Sequence, residues 1–152
     1  HKQTMINNLN YSSLKNINSK GFVTNYEIKL KNFNSDSKNI KNSKNEFDQN
    51  LQSIIKYQIQ YPLKKEGIKF DKVLTPIFSA RFSPNKSKDI KGNDVTTDYN
   101  NIFSLNGIGS SETVEAGQSI TIGNEFRTID KGGNEIFSLN LASISIELAL
   151  LF

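Results

Sequence analysis

The sequence predicts an all-β fold: an antiparallel up-and-down meander of about six strands that forms part of a larger transmembrane β-barrel. Apolar and polar residues alternate with a period of two in segment after segment, as they do in strands that have one apolar and one polar face. The connections between these segments alternate between short and long, which is typical of outer-membrane barrels. No segment shows helical periodicity, and no apolar run is long enough for a membrane-spanning helix.

The alternation places six strands along the chain. They are predicted to lie near residues 5–16, 22–31, 47–61, 70–83, 112–128 and 135–142. The first strand is the least regular, whereas in the second Tyr26, Ile28 and Leu30 share one face. The third strand is the clearest, with Tyr57 and Ile59 on its apolar face. Its alternating part matches the roughly 9–11 residues with which a tilted strand crosses a bilayer.

The last three strands carry the same pattern with local interruptions. The fourth contains Pro76, which lacks a backbone N–H, so we expect a local bulge or a weakly paired position there. In the fifth, Gln118 interrupts the apolar face, and in the sixth Phe137 and Leu139 share a side. The apolar run 143–152 follows in a shifted phase, and the pattern assigns it no role.

The alternation also assigns residues to the two sides of a barrel wall, because lumen-facing positions of such barrels are polar and lipid-facing positions are apolar. The lumen-facing candidates are Lys56, Gln58, Arg81, Glu115, Glu125 and Arg127. The lipid-facing candidates are Ile55, Tyr57, Ile59, Phe78, Ile120 and Ile122.

The connections predict the orientation of the strands. Two long loops, 32–46 and 83–111, alternate with short connections. Outer-membrane barrels have short periplasmic turns and long extracellular loops. We therefore expect the long loops to face the cell exterior and the connections 62–69 and 131–134 to face the periplasm. Because the smallest such barrels need about eight strands to close, the chain is expected to be a fragment of a barrel.

The composition argues against catalysis and against cofactors. The chain has no Cys, and its single His is the first residue, which excludes a disulfide scaffold, a thiolate nucleophile and the common zinc sites. Glu115 and Glu125 are separated by ten strand residues, roughly 30 Å, which is too far for paired acid–base chemistry. The net charge is +4, and almost all of the basic residues are Lys. Since no basic stripe is interleaved with aromatic residues, no nucleic-acid binding is expected.

Two loop motifs have plain interpretations. Asp89, Asp94 and Asp98 lie in one long loop and suit a divalent cation by residue type, but their spacing matches no calcium loop, so solvated charges are expected. The Gly-Ile-Gly motif at 107–109 lacks the third glycine and the strand-turn-helix context of a phosphate-binding loop.

A succession of short motifs carries a family resemblance over about half the chain. The motifs are YPL at 61–63, LTP at 74–76, RFSP at 81–84, DYNNIFS at 98–104, GIGSSETVE at 107–115 and GQSITIGNE at 117–125. In this succession the chain resembles the LptD (OstA) family of lipopolysaccharide-assembly proteins. One departure is Gly107, near which the family usually has an arginine.

The resemblance implies a barrel in the cell outer membrane of a Gram-negative bacterium that inserts lipopolysaccharide into the outer leaflet. It implies a lipoprotein plug inside the barrel and a periplasmic transport bridge as partners, and neither enzymatic activity nor a cofactor. This segment would be barrel wall with two surface loops. The residues alone leave an alternative, a soluble β-sandwich that serves as a carbohydrate-binding or adhesin module. Such a module would fold in plain buffer, whereas a barrel segment would need lipid or detergent.

Overall fold

The structure, a computed structural model, describes residues 2–37, 46–85, 98–99, 101–105 and 115–147. Within these ranges the strands are β1 (Lys2–Ser12), β2 (Asn16–Ile17), β3 (Val23–Ser37), β4 (Glu46–Gln60), β5 (Leu63–Lys65), β6 (Phe70–Ser83), β7 (Gly117–Asp130) and β8 (Glu135–Glu147). Six of them form an antiparallel sheet in the order β1-β3-β4-β6-β7-β8, while the short β2 pairs with β3 and the short β5 with β6. The predicted all-β meander of about six strands is confirmed.

In the described part of the chain, no helix is long and apolar enough to cross a membrane.

The β3–β4 hairpin is longer than the sequence predicted. Its register runs without a shift from Val23↔Gln60 to Ser37↔Glu46. The apolar alternation fades after Leu30, whereas the backbone pairing continues to Ser37↔Glu46. Part of the region that the sequence predicted as a long loop is therefore strand.

The first and last strands end elsewhere than predicted. β1 ends at Ser12 because the next residue, Ser13, uses its hydroxyl in place of a ladder carbonyl: Ser13 Oγ accepts the Tyr26 N–H at 2.9 Å. Pairing resumes only at β2. β8 continues beyond residue 142, because β7 offers it an unbroken partner as far as the pair Gln118↔Glu147.

β7 is also displaced from its predicted bounds. It begins at Gly117, whose φ of 94° is a left-handed conformation that favours glycine. Predicted strand residues 112–114 lie outside the described residues. At its other end β7 extends to Asp130, whose carboxylate accepts the N–H groups of Gly132 and Asn134 at 2.8 Å each and so closes the turn.

Pro76 lies in a regular ladder on one side and at a gap on the other. Pairing with β7 passes through Pro76↔Asn124 without a register shift, so a bulge is absent there. On the β4 side the ladder ends at Gln60↔Ile77, and the Pro76 carbonyl accepts the Tyr61 N–H at 3.1 Å. A strand residue directs its N–H and C=O to the same neighbour, so the missing donor falls where β4 leaves the sheet. This is the weakly paired position that the sequence offered as the alternative.

β4 and β6 share a short ladder between two long hairpins. Only six residue pairs join them, from Ile55 to Gln60 of β4. Beyond this ladder the Asn85 side chain takes the place of a neighbouring strand. Its amide oxygen accepts the Ser53 N–H at 2.9 Å, and its amide nitrogen donates to the Ser53 carbonyl at 2.8 Å.

The exposed face of the sheet is apolar and its buried face is polar, which is the reverse of the arrangement in soluble proteins. We call the face that carries Ile55 and Ile122 the outer face, and the face that carries Lys56 and Gln58 the inner face. Ile55 and Ile122 are 47% and 58% exposed, whereas Lys56 and Gln58 are only 5% and 9% exposed. Soluble proteins bury apolar side chains and expose charged ones, so this sheet has the polarity of a protein whose surroundings are apolar.

Candidate functional site

Lys56 is the centre of a charged cluster on the inner face. It lies on β4 opposite Glu27 of β3, and its ammonium is 2.7 Å from Glu27 Oε1. The same ammonium donates to the Phe103 carbonyl at 2.7 Å. The Lys56 side chain is 6% exposed. A charge this deeply buried depends on its partners, because a buried ion left unpaired is strongly destabilising.

Arg81 forms a second ion pair beside the first. Lys56 and Arg81 are cross-strand neighbours on β4 and β6, and like charges in that arrangement repel. Each is neutralised by a different carboxylate. Arg81 Nη2 donates to Glu115 Oε1 at 2.6 Å, Nη1 donates to Glu115 Oε2, and Nε donates to Ser119 Oγ at 3.1 Å. Glu115, which the sequence placed within a strand, lies just before β7 and ties that end of the long loop to β6.

Part of the long loop between β6 and β7 lies on the inner face. This part, residues 98–99 and 101–105, is called the inner loop segment. It contains a tight turn in which two side chains exchange hydrogen bonds with backbone: Asn101 Oδ1 accepts the Asp98 N–H at 2.9 Å, and Asp98 Oδ1 accepts the Asn101 N–H at 3.0 Å. Both hydrogen bonds lie within the turn, so its conformation does not depend on contacts with the sheet.

Two aromatic side chains fasten the inner loop segment to β7. Tyr99 Oη donates to Glu125 Oε1 at 2.9 Å. Burial and this carboxylate raise the pKa of Tyr99 to about 12, so the phenol remains a donor to a higher pH than an ordinary tyrosine does. Phe103 lies over Gly123, where a Cβ would come within 2.6 Å of the Phe103 ring. A glycine inside a strand here leaves space for the close approach of another segment.

The inner loop segment contacts β7 far from the end at which this strand begins. Phe103 meets Gly123 six residues after β7 begins at Gly117, which corresponds to about 20 Å at roughly 3.3 Å per residue. The sequence predicted that the whole loop 83–111 faces the cell exterior. Its described part instead folds back over the sheet, because Lys56 and β7 supply partners for it there.

The register separates the two sets of candidate residues cleanly. The lumen-facing candidates in strands, Lys56, Gln58, Arg81, Glu125 and Arg127, lie on the inner face, and all the lipid-facing candidates lie on the outer face. Glu115 precedes β7 and reaches the inner face through its ion pair with Arg81. Sequence reasoning missed Tyr99, Phe103 and Gly123. A glycine that interrupts an alternating strand is the one signal that could have indicated the third. Arg127 Nε, on the inner face, is buried without a hydrogen-bond partner among the described residues.

Two of the loop motifs cannot be placed. Asp89 and Asp94 and the glycine pair at 107–109 lie outside the described residues, as do residues 148–152 of the apolar tail.

Residues 4–145 match the family model described as LptD, LPS transport system D. The chain belongs to the LptD family. The match covers nearly the whole chain and includes the first fifty residues, in which the short motifs carry little signal. No curated protein gives a significant match to the chain. The LptD family is a family of transport and assembly proteins rather than of enzymes, and the resemblance drawn from the motifs is confirmed.

The outer face of this LptD-family chain carries aromatic pairs toward the short turns. Phe22 stacks on Tyr61 with ring centroids 4.5 Å apart, and Phe126 meets Phe137 edge-on at 6.1 Å. Aromatic girdles flank the apolar band of outer-membrane barrels. The outer face thus combines an apolar band with aromatic pairs at one edge, as expected in a family of outer-membrane proteins.

Proposed function

We propose that the chain forms part of the wall of an outer-membrane β-barrel that inserts lipopolysaccharide into the outer leaflet. The reversed burial of the two faces is the observation that carries this proposal. In a bilayer the outer face would contact lipid, and the inner face would contact the water and the loops of a lumen. A soluble β-sandwich would instead bury its apolar face, so the burial favours the barrel over the binding module.

The inner face suits passage of an amphiphilic cargo. Lys56 is paired with Glu27 and Arg81 with Glu115, so these two cations do not form a strong trap for the anionic groups of lipopolysaccharide. The inner loop segment occupies part of the proposed lumen beside β7. The lipoprotein plug and the periplasmic transport bridge are proposed as partners from the family alone.

The strand ends give the proposed topology. The connections 62–69 and 131–134 face the periplasm, and the long connection between β6 and β7 begins at the opposite, extracellular end. The inner loop segment then descends from that end into the lumen.

Neighbouring residues of β8 provide the test. Asn140 pairs with Glu125 and lies on the inner face, whereas Leu141 pairs with Asn124 and lies on the outer face; both are exposed. In the full-length protein in membranes, a hydrophilic maleimide should label Asn140→Cys. It should label Leu141→Cys only after denaturation. Equal labelling of both in the native membrane would contradict the barrel wall.

Transport itself needs a second measurement. A photoreactive amino acid at position 140 should form adducts with pulse-labelled lipopolysaccharide when irradiated directly after the pulse. The yield of labelled adduct should fall when irradiation follows a chase, because cargo passes the inner face only in transit. If the barrel folds but no such adduct forms, the proposed membrane placement would stand and the proposed transport role would be wrong.

A further inference from the structure

The outer face carries very few charges. Among the strand residues whose side chains the structure describes, only Lys65, Lys72 and Asp130 are charged and lie on this face. The Asp130 carboxylate is engaged in the β7–β8 turn, where it accepts the Asn134 N–H at 2.8 Å and the Asn134 side-chain amide at 3.0 Å. Lys65 and Lys72 are therefore the cations that these residues present on this face, and Asp130, which remains anionic, is held in the turn by its own hydrogen bonds.

These two lysines face each other. Lys65 of β5 and Lys72 of β6 are cross-strand partners, and both are exposed. Side chains in this relation have Cβ atoms about 4.5–5.5 Å apart, and like charges placed so are destabilising unless an anion lies between them.

Nearby carboxylates do not neutralise this pair. Asp71 is 3.2 Å from Lys64 and 2.5 Å from Lys131, and Glu66 is 3.0 Å from Lys64. Because Lys64 and Asp71 have the opposite strand parity from Lys65 and Lys72, these ion pairs lie on the inner side of the turn. Within the described residues, neither Lys65 nor Lys72 forms an ion pair.

The lysine pair lies at the turn-side edge of the apolar band, where Phe70 is the next residue on the same face. The preceding cross-strand pair on the same face is Leu63↔Leu74, and Lys72 is next to Thr128 of β7. At the border between hydrocarbon and headgroups a lysine keeps its aliphatic stem against apolar surface and extends its ammonium into the polar layer. The phosphate groups of phospholipids are found in that layer.

We propose that Lys65 and Lys72 form a binding site for the phosphate headgroup of an anionic phospholipid in the leaflet next to the short turns. The phosphate lies between the two ammonium groups, offsets their repulsion and anchors this edge of the sheet at a fixed depth. The site rests on the proposed membrane placement, but it requires neither lipopolysaccharide nor transport.

A local reporter tests the site in the full-length protein reconstituted in bilayers. A fluorophore on Thr128→Cys is quenched by spin-labelled phosphatidylglycerol or by spin-labelled phosphatidylcholine, and the ratio of the two gives the local lipid preference. Lys65→Gln and Lys72→Gln should each lower the preference for phosphatidylglycerol by about fivefold, the effect of one lysine near an anionic surface. Lys64→Gln, the adjacent residue on the other face, should leave the preference unchanged.

The outcomes separate the site from the membrane placement. Quenching by neither lipid would contradict the proposed barrel wall itself. Quenching by both lipids with no preference, or an equal loss in Lys64→Gln, would overturn the headgroup site alone. Inorganic phosphate, compared with chloride at equal ionic strength, should not abolish the preference. If it does, the pair binds small anions and the lipid assignment is wrong.

Discussion

The inner and outer faces of the same strands depend on different partners. On the outer face, side chains such as Ile122 are largely exposed, so their energies are set by the surroundings. On the inner face, Lys56 and Arg81 are tied to named carboxylates and to the loop above them. Substitutions on the outer face therefore report on the solvent, whereas those on the inner face report on a network.

The largest effect is expected from removing a buried cation. Lys56→Met leaves the Glu27 carboxylate without its cation and the Phe103 carbonyl without its donor. Breaking a buried ion pair in this way costs about 3–5 kcal/mol. Urea unfolding of the full-length protein in lipid should show this loss.

A lysine at the turn end provides the matched control. Lys64 also forms ion pairs, but its side chain is 53% exposed. Lys64→Met should cost much less than Lys56→Met, because exposed ion pairs contribute little. Equal losses in the two variants would mean that Lys56 is solvated by a water-filled lumen and gains little from Glu27.

The next effect comes from placing a charge in the apolar band. Ile122→Arg on the outer face should cost about 2–4 kcal/mol, the penalty for arginine near the bilayer midplane. Asn140→Arg on the inner face should be tolerated, because that position is exposed on the polar side. Gln58 is a poor control, since it is 9% exposed and an arginine there would be crowded. Folded yield and unfolding free energy measure the difference, and a larger loss in Asn140→Arg would reverse the assignment of the faces.

The sequence predicts the fold well because alternation is a local property. The two faces of β4 and β6 follow directly from residue parity, and a pleated strand cannot change parity without a bulge. Strand ends are harder to predict. β1 stops because the Ser13 hydroxyl replaces a carbonyl, and β8 continues because β7 remains available as a partner. Both causes depend on a partner strand, β3 in the first case and β7 in the second, so neither can be predicted from the segment alone.

The inner loop segment could not be predicted because it depends on contacts between residues far apart in sequence. Lys56 and Phe103 are 47 positions apart, and Tyr99 and Glu125 are 26 apart. Alternation predicts that Lys56 and Glu125 lie on a polar face, but it does not indicate that a loop satisfies them. Gln58 is likewise buried on the face predicted to line the lumen, since alternation predicts the side on which a residue lies and not how far it is covered.

A smaller effect is expected at the glycine beneath the loop. In Gly123→Ala, the new Cβ would lie 2.6 Å from the Phe103 ring and 2.9 Å from the Leu141 carbonyl. Overpacking of this kind costs about 1–3 kcal/mol. Adding Phe103→Ala removes the first contact only, so the double variant should tolerate the alanine better than the single one. If Phe103→Ala makes no difference to the cost of Gly123→Ala, the strain lies in the β7–β8 ladder and the loop is not seated on the glycine.

The smallest effect tests a single hydroxyl on each face. Tyr99→Phe removes the donor to Glu125 and should cost about 1 kcal/mol, the net contribution of one hydrogen bond. It should also increase protease cleavage within the inner loop segment. Tyr57→Phe makes the same chemical change on the outer face, where the change should stay within about 0.5 kcal/mol.

The contribution of Tyr99 should also depend on pH in a defined direction. Because its pKa is raised from 10.0 to about 12 in the folded protein, the stabilisation is present in full below pH 10 and is lost as the pH rises toward 12. The difference in loop cleavage between the native protein and Tyr99→Phe should therefore persist from pH 7 to 10 and vanish near 12. A difference that vanishes below pH 9 would show that the phenol is not held by Glu125, and equal effects of Tyr99→Phe and Tyr57→Phe would remove the distinction between the two faces at the level of one hydrogen bond.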